Sequence, residues 1–175
     1  FYDINAKVNW KYNNNNRFFL AFYSGRDVFN FSDEFGFAWG NKTATFRWNH
    51  LFNERLFSNT SVIASNFDYK LELQDPVQGF EWTSDLQELS VKYDLSYFIN
   101  TNNELSFGYH ITGRRFSPGR ISPNTEGSIF TDVELQQMYA LDHAFYISNQ
   151  QRLSEKVTLD YGVRLSIFQN IGSSD

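Results

Sequence analysis

The sequence predicts an all-β protein whose antiparallel strands form a transmembrane β-barrel, and three observations lead to this fold class. Long segments alternate apolar or aromatic residues with polar ones, about eight times along the chain. Aromatic residues, which make up 19% of the chain, concentrate on the apolar side of these segments. Short and long connections alternate between them. Because successive side chains of a strand point to opposite faces, each segment has one apolar and one polar face, as membrane-spanning strands do.

The composition is compatible with membrane strands and excludes a membrane helix. Mean hydropathy is −0.48, and no run approaches the roughly 18 consecutive apolar residues that a helix would need. A membrane strand needs only about 9–11 residues, and only every second one must be apolar. We therefore expect residues 1–175 to form a single segment of outer-membrane β-barrel.

Several function classes are disfavoured by what the chain lacks. It has no cysteine, so a disulfide framework, a thiol nucleophile and a Cys-ligated metal are excluded. A net charge of −5 and the absence of a Lys/Arg cluster argue against binding nucleic acid. No signal peptide is visible, and the chain starts within a strand pattern. We expect the natural polypeptide to be longer at its N-terminus, or to be matured by cleavage.

The first three strands are predicted at 2–12, 17–25 and 37–52. The opening strand is the clearest, because every even-numbered residue from Tyr2 to Tyr12 is apolar and the residues between them are polar. The four asparagines at 13–16 tolerate left-handed backbone geometry and predict a tight turn. A longer connection is expected at 26–35, and a short turn at 53–55. The apolar faces of the second and third strands carry Phe18, Leu20, Phe22, Ala44, Phe46, Trp48 and Phe52.

Five more strands are predicted at 56–73, 80–98, 104–116, 134–150 and 157–168. The last is unambiguous, since apolar residues occupy alternate positions from Val157 to Ile167. Connections are expected at 74–79, 100–103, 117–133 and 154–156. The three prolines, Pro76, Pro118 and Pro123, all fall in predicted connections, as expected for residues that cannot donate to a strand ladder.

The connection lengths and the aromatic residues indicate how such strands would cross a membrane. Outer-membrane barrels have short periplasmic turns and longer extracellular loops. The predicted connections alternate in that way, with both chain ends on the extracellular side. Aromatic residues cluster near both ends of the predicted strands, where amphipathic rings prefer the membrane interfaces. A soluble β-sandwich is the alternative, but soluble strands average about 5–6 residues, roughly half the length predicted here.

Several stretches resemble the mid-barrel region of TonB-dependent outer-membrane receptors, closest to the group common in the Bacteroidota. They are 2–9 (YDINAKVN), 25–29 (GRDVF), 39–41 (WGN), 47–53 (RWNHLFN), 81–84 (EWTS), 116–119 (FSPG), 146–150 (YISNQ) and 161–164 (YGVR). The resemblance implies a barrel of 22 strands with an N-terminal plug and a TonB box, and neither plug nor box is present in this sequence. This chain would then supply about eight of the 22 strands.

The resemblance also implies a function and a set of partners. The chain would be part of a receptor that takes up a scarce ligand (a siderophore, vitamin, oligosaccharide or peptide) across the outer membrane of a Gram-negative bacterium. Its partners would be outer-membrane lipid and lipopolysaccharide, the remaining strands and plug of the same polypeptide, and the TonB/ExbB/ExbD complex acting through the plug. No cofactor is implied. The alternative is a complete eight-stranded barrel with a structural or adhesive role. The length of several strands and the loop-like tail at 169–175 argue against it.

The candidate ligand-binding residues lie in or beside the predicted extracellular connections. Arg26 and Asp27 open the first, while Arg114, Arg115 and Arg120 bracket the longest. Such arginines could bind an anionic ligand or lipopolysaccharide phosphates, or could simply pair with nearby carboxylates. Asp27, Asp33 and Glu34 could bind a hard cation, or could be solvated loop acids.

No catalytic site is expected. The histidines, His50, His110 and His143, are not spaced for metal ligation with one another. Asp142 and His143 are adjacent, and adjacent residues of a strand face opposite sides, so they cannot act as a pair beside Ser148. The expected inward row comprises Lys7, Arg47, Lys92, Asp94, Asp160 and Arg164. It would line the lumen and contact the plug of a large barrel, or form a salt-bridged interior in a small one.

Overall fold

A computed structural model describes residues 1–31 and 34–172, and its regular elements are β-strands. No helix in these two ranges is both long enough and apolar enough to cross a membrane. The strands are β1 (Tyr2–Lys11), β2 (Asn16–Phe31), β3 (Phe35–Asn53), β4 (Leu56–Leu73), β5 (Phe80–Asn100), β6 (Asn103–Pro123), β7 (Val133–Glu134), β8 (Met138–Arg152) and β9 (Thr158–Asn170).

All strands belong to one antiparallel sheet in the order β1-β2-β3-β4-β5-β6-β8-β9, with the two-residue β7 attached to β6. The eight predicted strands are therefore all present, which confirms the all-β, antiparallel class. The sheet is open: within the described ranges β1 pairs only with β2, and β9 pairs only with β8. Closure into a barrel is thus not part of this structure.

The four short turns lie at one end of the sheet, here called the short-turn end, and each is closed by the same chemistry. The side chain that begins each turn accepts a hydrogen bond from a backbone N–H two residues later, as turn-forming Asn and Ser residues do. These residues are Asn13, Asn53, Asn100 and Ser154, with distances of 2.9, 2.9, 2.9 and 3.3 Å. The predicted turns at this end are confirmed.

The predicted connection at 26–35 is wrong. β2 continues to Phe31, β3 begins at Phe35, and these two residues are direct cross-strand partners. Arg26 and Asp27 consequently lie on a strand, while Ser32 and Asp33 lie outside the described residues. The segment was misassigned because its apolar residues, Phe29 and Phe31, occupy the opposite parity from Phe18–Phe22, which looks like the end of a strand.

The predicted connection at 117–133 is also too long. β6 runs on to Pro123, so Pro118 and Pro123 lie within a strand, against the prediction. Pro118 is tolerated because the β5–β6 register shifts between Thr83 and Asp85, which leaves Pro118 and Gly119 in a β-bulge opposite Ser84. The next long strand begins at Met138 instead of 134, since 133–134 pairs separately with β6.

At the other end, here called the loop end, the segment after β6 packs onto the 74–79 connection. Asn124 Nδ2 donates to the Leu73 and Phe80 carbonyl oxygens at 2.8 and 3.2 Å. Ser128 Oγ donates to the Gly79 carbonyl oxygen at 2.6 Å, and the Ile129 N–H donates to Val77. These bonds join two connections that are about fifty residues apart in the chain.

Successive short turns are staggered along the strand direction. The Leu51 N–H donates to the Asn15 carbonyl, so β3 runs about three residues past the first turn before turning itself. The same offset recurs where Phe98 bonds Arg55 and where Arg152 bonds Asn102. An offset of about three residues is roughly 10 Å along the strand direction, and two strands span roughly 10 Å across the sheet. For turns that lie in one plane, the strands are therefore inclined by about 45° to the normal of that plane.

The sheet is a single layer with no hydrophobic core. Each strand packs only on its hydrogen-bonded neighbours in the parts of the chain that are described. The buried apolar side chains there are Ala38 and Ala144, whereas large apolar residues are widely exposed, with Val163 at 73%. A soluble domain of this length would bury most of its large apolar residues, whereas many of the large apolar residues in the described ranges are exposed.

The exposed apolar surface is a continuous band on one side of the sheet, here called the belt face. Cross-strand partners share a face, and the register places Phe22, Ala44, Ala64, Leu89, Gly113 and Leu141 side by side, with a second row of Leu20, Phe46, Val62, Val91, Ile111, His143 and Ile167. On four strands the apolar belt is nine residues long: 2–10, 89–97, 105–113 and 159–167. On β8 the belt face carries His143 and Asn149 among its apolar residues. The other side is called the opposite face; it is polar beneath the belt.

Toward the loop end the two faces exchange character. The belt face becomes charged, with Arg26, Asp68, Lys70, Glu72, Glu81 and Asp85 beyond the last apolar row. The opposite face becomes aromatic, with Phe29, Phe37, Trp39, Tyr69 and Trp82. On β2–β5 the alternation continues with its polarity reversed, and on β6 it shifts by one residue at the 118–119 bulge.

Candidate functional site

The charged part of the belt face contains most of the arginines that the sequence singled out. Arg26 Nη1 lies 3.0 Å from Asp68 Oδ2, although β3 separates their strands. The pair passes over Gly40, where a Cβ would lie 3.1 Å from Asp68 Oδ1 and 3.4 Å from Arg26 Nη1. Asp68 and Asp85 are direct cross-strand partners, and Arg115 Nη2 binds Asp85 at 3.0 Å. Each of the two facing carboxylates is therefore held by its own arginine.

A second pair of facing carboxylates lies nearer the loop end. Glu72 and Glu81 are cross-strand partners, and Lys70 Nζ bridges them at 3.0 and 2.7 Å. Hydrogen bonds to Glu81 and Glu72 raise the pKa of Lys70. The Lys70 ammonium and then the Gln74 amide lower the pKa of Glu72. Lys70 thus compensates a repulsion that would otherwise oppose pairing of β4 with β5.

The remaining predicted residues are divided between the two faces. Arg114, on the opposite face, is bound by Glu88 of β5 and Asp142 of β8. Arg120, on the belt face, lies 3.4 Å from Asp132, which also accepts a bond from Ser122 at 2.7 Å. That Ser122 bond lowers the pKa of Asp132. Asp27 is exposed on the opposite face. The structure therefore brings none of the four arginines together, and it gives each a carboxylate partner.

The histidines take part in three separate polar contacts. His110 Nε2 lies 2.7 Å from Asp94 Oδ1, which also accepts a 2.7 Å bond from the Tyr146 hydroxyl. Gly108 leaves room for this group, since a Cβ there would lie 2.6 Å from the Tyr146 ring. His143 Nδ1 lies 2.7 Å from the Tyr109 hydroxyl on the belt face. His50 and Trp48 share Asn16 Oδ1 at 2.8 and 2.9 Å.

These contacts match the expectation that Asp142 and His143 act separately. Asp142 binds Arg114 on the opposite face, whereas His143 binds Tyr109 on the belt face. Among residues 1–31 and 34–172, no group of three or more His, Asp or Glu side chains is arranged to hold a metal ion. Of the proposed cation site at Asp27, Asp33 and Glu34, Asp33 lies outside the described residues.

Sequence reasoning missed the segregation of charge on the opposite face. The row from Lys7 to Arg164 mixes signs in the sequence, and the structure distributes its ion pairs unevenly. On β5, β6 and β8 some of the charges are matched, as in the Glu88–Arg114–Asp142 group, although Lys92 of β5 has no ion-pair partner among the described residues. On β1–β3 the basic side chains Lys7, Lys11, Arg17 and Arg47 have no ion-pair partner among the described residues. Only the strand register could reveal this, because the four residues span forty positions of the chain.

Comparison with known proteins adds no relative. No protein-family model, no curated protein and no solved structure matches this chain. The resemblance to TonB-dependent receptors stays a prediction from the sequence.

Proposed function

We propose that this chain forms part of the wall of a transmembrane β-barrel in the outer membrane of a Gram-negative bacterium, within a TonB-dependent receptor. The observation that carries the proposal is the belt: nine-residue apolar segments on a sheet with no core of its own. A membrane strand needs about 9–11 residues, and the belt face offers that length on four strands. Lipid supplies the apolar environment that the protein itself does not.

The exchange of polarity between the faces supports a membrane boundary at the last apolar row. Below it, the outward face meets lipid; above it, the same face meets water and carries the Arg26–Asp68 and Lys70–Glu81 pairs. Lys42 and Arg115 lie on the belt face just beyond Ala44 and Gly113. Cations at this level suit the phosphates of lipopolysaccharide, the lipid partner expected there. On this proposal the belt-face arginines Arg26, Arg115 and Arg120 contact the surroundings of the barrel, not its lumen.

The open edges and the turn stagger support a larger barrel. Membrane β-barrels tilt their strands by roughly 35–45°, close to the inclination of about 45° estimated from the turns. Free edges of β1 and β9 would be unstable in lipid, where each backbone group must be paired. The remaining strands of the same polypeptide would pair with them. A complete eight-stranded barrel would instead require β9 to pair with β1.

In this function the segment supplies scaffold and part of the ligand approach. The aromatic surface of the opposite face at the loop end would face ligand entering from outside, with Phe37 lying 5.0 Å from Trp39 and 5.9 Å from Tyr69 between ring centroids. The plug would close the lumen below it, and the TonB/ExbB/ExbD complex would act on the plug. The proposal assigns no catalytic group, metal or cofactor to this chain.

The first experiment is to determine the mass of the native polypeptide that carries this sequence, from an outer-membrane fraction. The proposal expects a species several times heavier than the 20.6 kDa of this chain, on the order of 22 strands with a plug. A membrane species near 20.6 kDa would favour the complete small barrel. Recovery in the soluble fraction would refute both.

A further inference from the structure

The opposite face of β1–β3 carries a basic cluster, defined here as Lys7, Lys11, Arg17 and Arg47. No carboxylate among the described residues pairs with any of them. The chain as a whole has a net charge of −5, so four unpaired cations in one patch run against its overall balance. On β5–β8 the same face holds the ion pairs of Arg114 and the contact between His110 and Asp94, whereas on β1–β3 this face has no ion pair among the described residues.

The cluster is electrostatically strained within the sheet. Lys11 and Arg17 are direct cross-strand partners, and like charges in that position are destabilising. The Arg17 guanidinium lies 5.6 Å from the centre of the Phe19 ring, not beside a carboxylate. Lys11 and Arg17 do not line the pocket described next, but an anion bound there would lower the positive potential of the whole cluster.

A pocket of about 380 Å³ lies within the cluster. Its polar lining comprises Lys7, Asn9, Thr45 and Arg47, and its floor includes Phe19 and Ala21. The ammonium, amide, hydroxyl and guanidinium groups can all donate hydrogen bonds, and the lining contains no carboxylate. Lys7 shares a cross-strand row with Ala21 and Thr45, and Arg47 lies in the next row of the same face, beside Phe19 and Asn9. The two cations therefore stand on strands about 10 Å apart, on either side of one concave floor.

We propose that this pocket binds the phosphate group of a small solute. Two flanking cations match the charge of about −1.5 to −2 that a phosphate monoester carries at neutral pH. The Arg47 guanidinium can present two parallel N–H donors to the phosphate oxygens. Binding depends only on the pocket; that the pocket faces the lumen, and so lies on the path of a transported solute, rests on the proposed function.

The test measures binding of inorganic phosphate to the native polypeptide in detergent micelles, by equilibrium dialysis at constant ionic strength set with sodium chloride. We expect saturable binding at one site. Lys7→Gln and Arg47→Gln should each weaken it by about tenfold or more, because each removes a charge-assisted hydrogen bond. Lys156→Gln is the matched control, since Lys156 is another exposed lysine without an ion-pair partner among the described residues but lies in the last short turn, away from the cluster. Its affinity should not change.

Several results would overturn the inference. They are the absence of saturable phosphate binding, binding that survives both Lys7→Gln and Arg47→Gln, or an equal loss in Lys156→Gln, which would indicate a non-specific charge effect. Folding of each variant is checked by its retained β-sheet circular dichroism. The experiment separates failure of the phosphate site from failure of the proposed function. A membrane polypeptide that binds no phosphate refutes only the phosphate site, and a soluble polypeptide that binds phosphate refutes only the barrel.

Discussion

Val163 offers the sharpest test of whether the belt faces lipid. It lies at the centre of the nine-residue belt segment of β9, and 73% of its surface is exposed. In water, replacing so exposed a residue with arginine should change stability by no more than about 0.5 kcal/mol. At the midplane of a bilayer, an arginine on the lipid face of a barrel costs about 2–4 kcal/mol. The two environments therefore predict different results for one substitution.

The expected effect of Val163→Arg is a loss of about 2–4 kcal/mol in the free energy of unfolding from phospholipid vesicles. That corresponds to a roughly 30- to 900-fold drop in the folded-to-unfolded ratio. Leu159→Arg, at the short-turn end of the same segment, should cost about 0–1 kcal/mol, because the penalty falls toward the interface. Ser166→Arg is the control on the opposite face and should be nearly neutral. The measurement is the urea midpoint of each variant of the native polypeptide.

Equal midpoints for Val163→Arg and Ser166→Arg would refute the reasoning. So would a cost at Leu159 as large as that at Val163, since a depth-dependent penalty is the specific signature of a bilayer. A large cost for Ser166→Arg alone would instead mean that the opposite face, not the belt face, is the one that excludes water.

Two further predictions concern the charged part of the belt face. Gly40→Ala should lower the free energy of unfolding by up to about 1 kcal/mol, because the new Cβ would lie 3.1 Å from Asp68 and displace its ion pair with Arg26. Gly113→Ala is the control and should be tolerated, since its Cβ would meet only Leu141 at 3.5 Å. Equal urea midpoints for these two variants would contradict this prediction. The lowered pKa of Glu72 contributes stability that is present above its ordinary value of 4.5 and is lost as the pH falls through the lower folded-state pKa. The raised pKa of Lys70 contributes stability that is present below its ordinary value of 10.5 and is lost as the pH rises through the higher folded-state pKa. Lys70→Met should therefore reduce both pH dependences when unfolding is followed from pH 3 to 11, and an unchanged profile would show that the Lys70 bridge does not stabilise the sheet.

The sequence was sufficient to predict an all-β protein with antiparallel strands, because a period-2 pattern fixes strands locally. The first strand and the last were recognisable from their own residues, and the asparagine turns carry their own signal in Asn13, Asn53 and Asn100. These features depend on neighbours within a few positions. Nothing beyond local sequence is needed to predict them.

The sequence was insufficient where the polarity of the faces reverses. From Arg26 to Phe31 the alternation continues, but the aromatic residues move to the other parity, a pattern that does not match the preceding part of the strand. On β6 the bulge at 118–119 also shifts the parity, so that Phe116 and Ile121 lie on the same face, which is polar beneath the belt. A search for alternation of either parity would have found these strand extensions.

The candidate site could not be predicted because its contacts join distant positions. Arg26 binds Asp68, which lies 42 residues later in the chain and two strands away. The pairing is possible because Gly40, on the strand between them, has no side chain. The basic cluster likewise exists only in register, since Lys11 faces Arg17 across a turn while Arg47 arrives from the next strand. The residue types show which groups are charged, but they do not show which of these groups form ion pairs.

The reversal of polarity along the strands also determines the register with which neighbouring strands pair. A one-residue slip of β4 would place its whole apolar set on the wrong face, which is the usual constraint on register. A two-residue slip keeps every side chain on its face, and an ordinary amphipathic strand would tolerate it. Here such a slip would move Asp68 away from Arg26 and toward the belt row of Ala44. The two faces therefore exclude slips of one residue, and the boundary between the belt and the charged rows excludes slips of two residues.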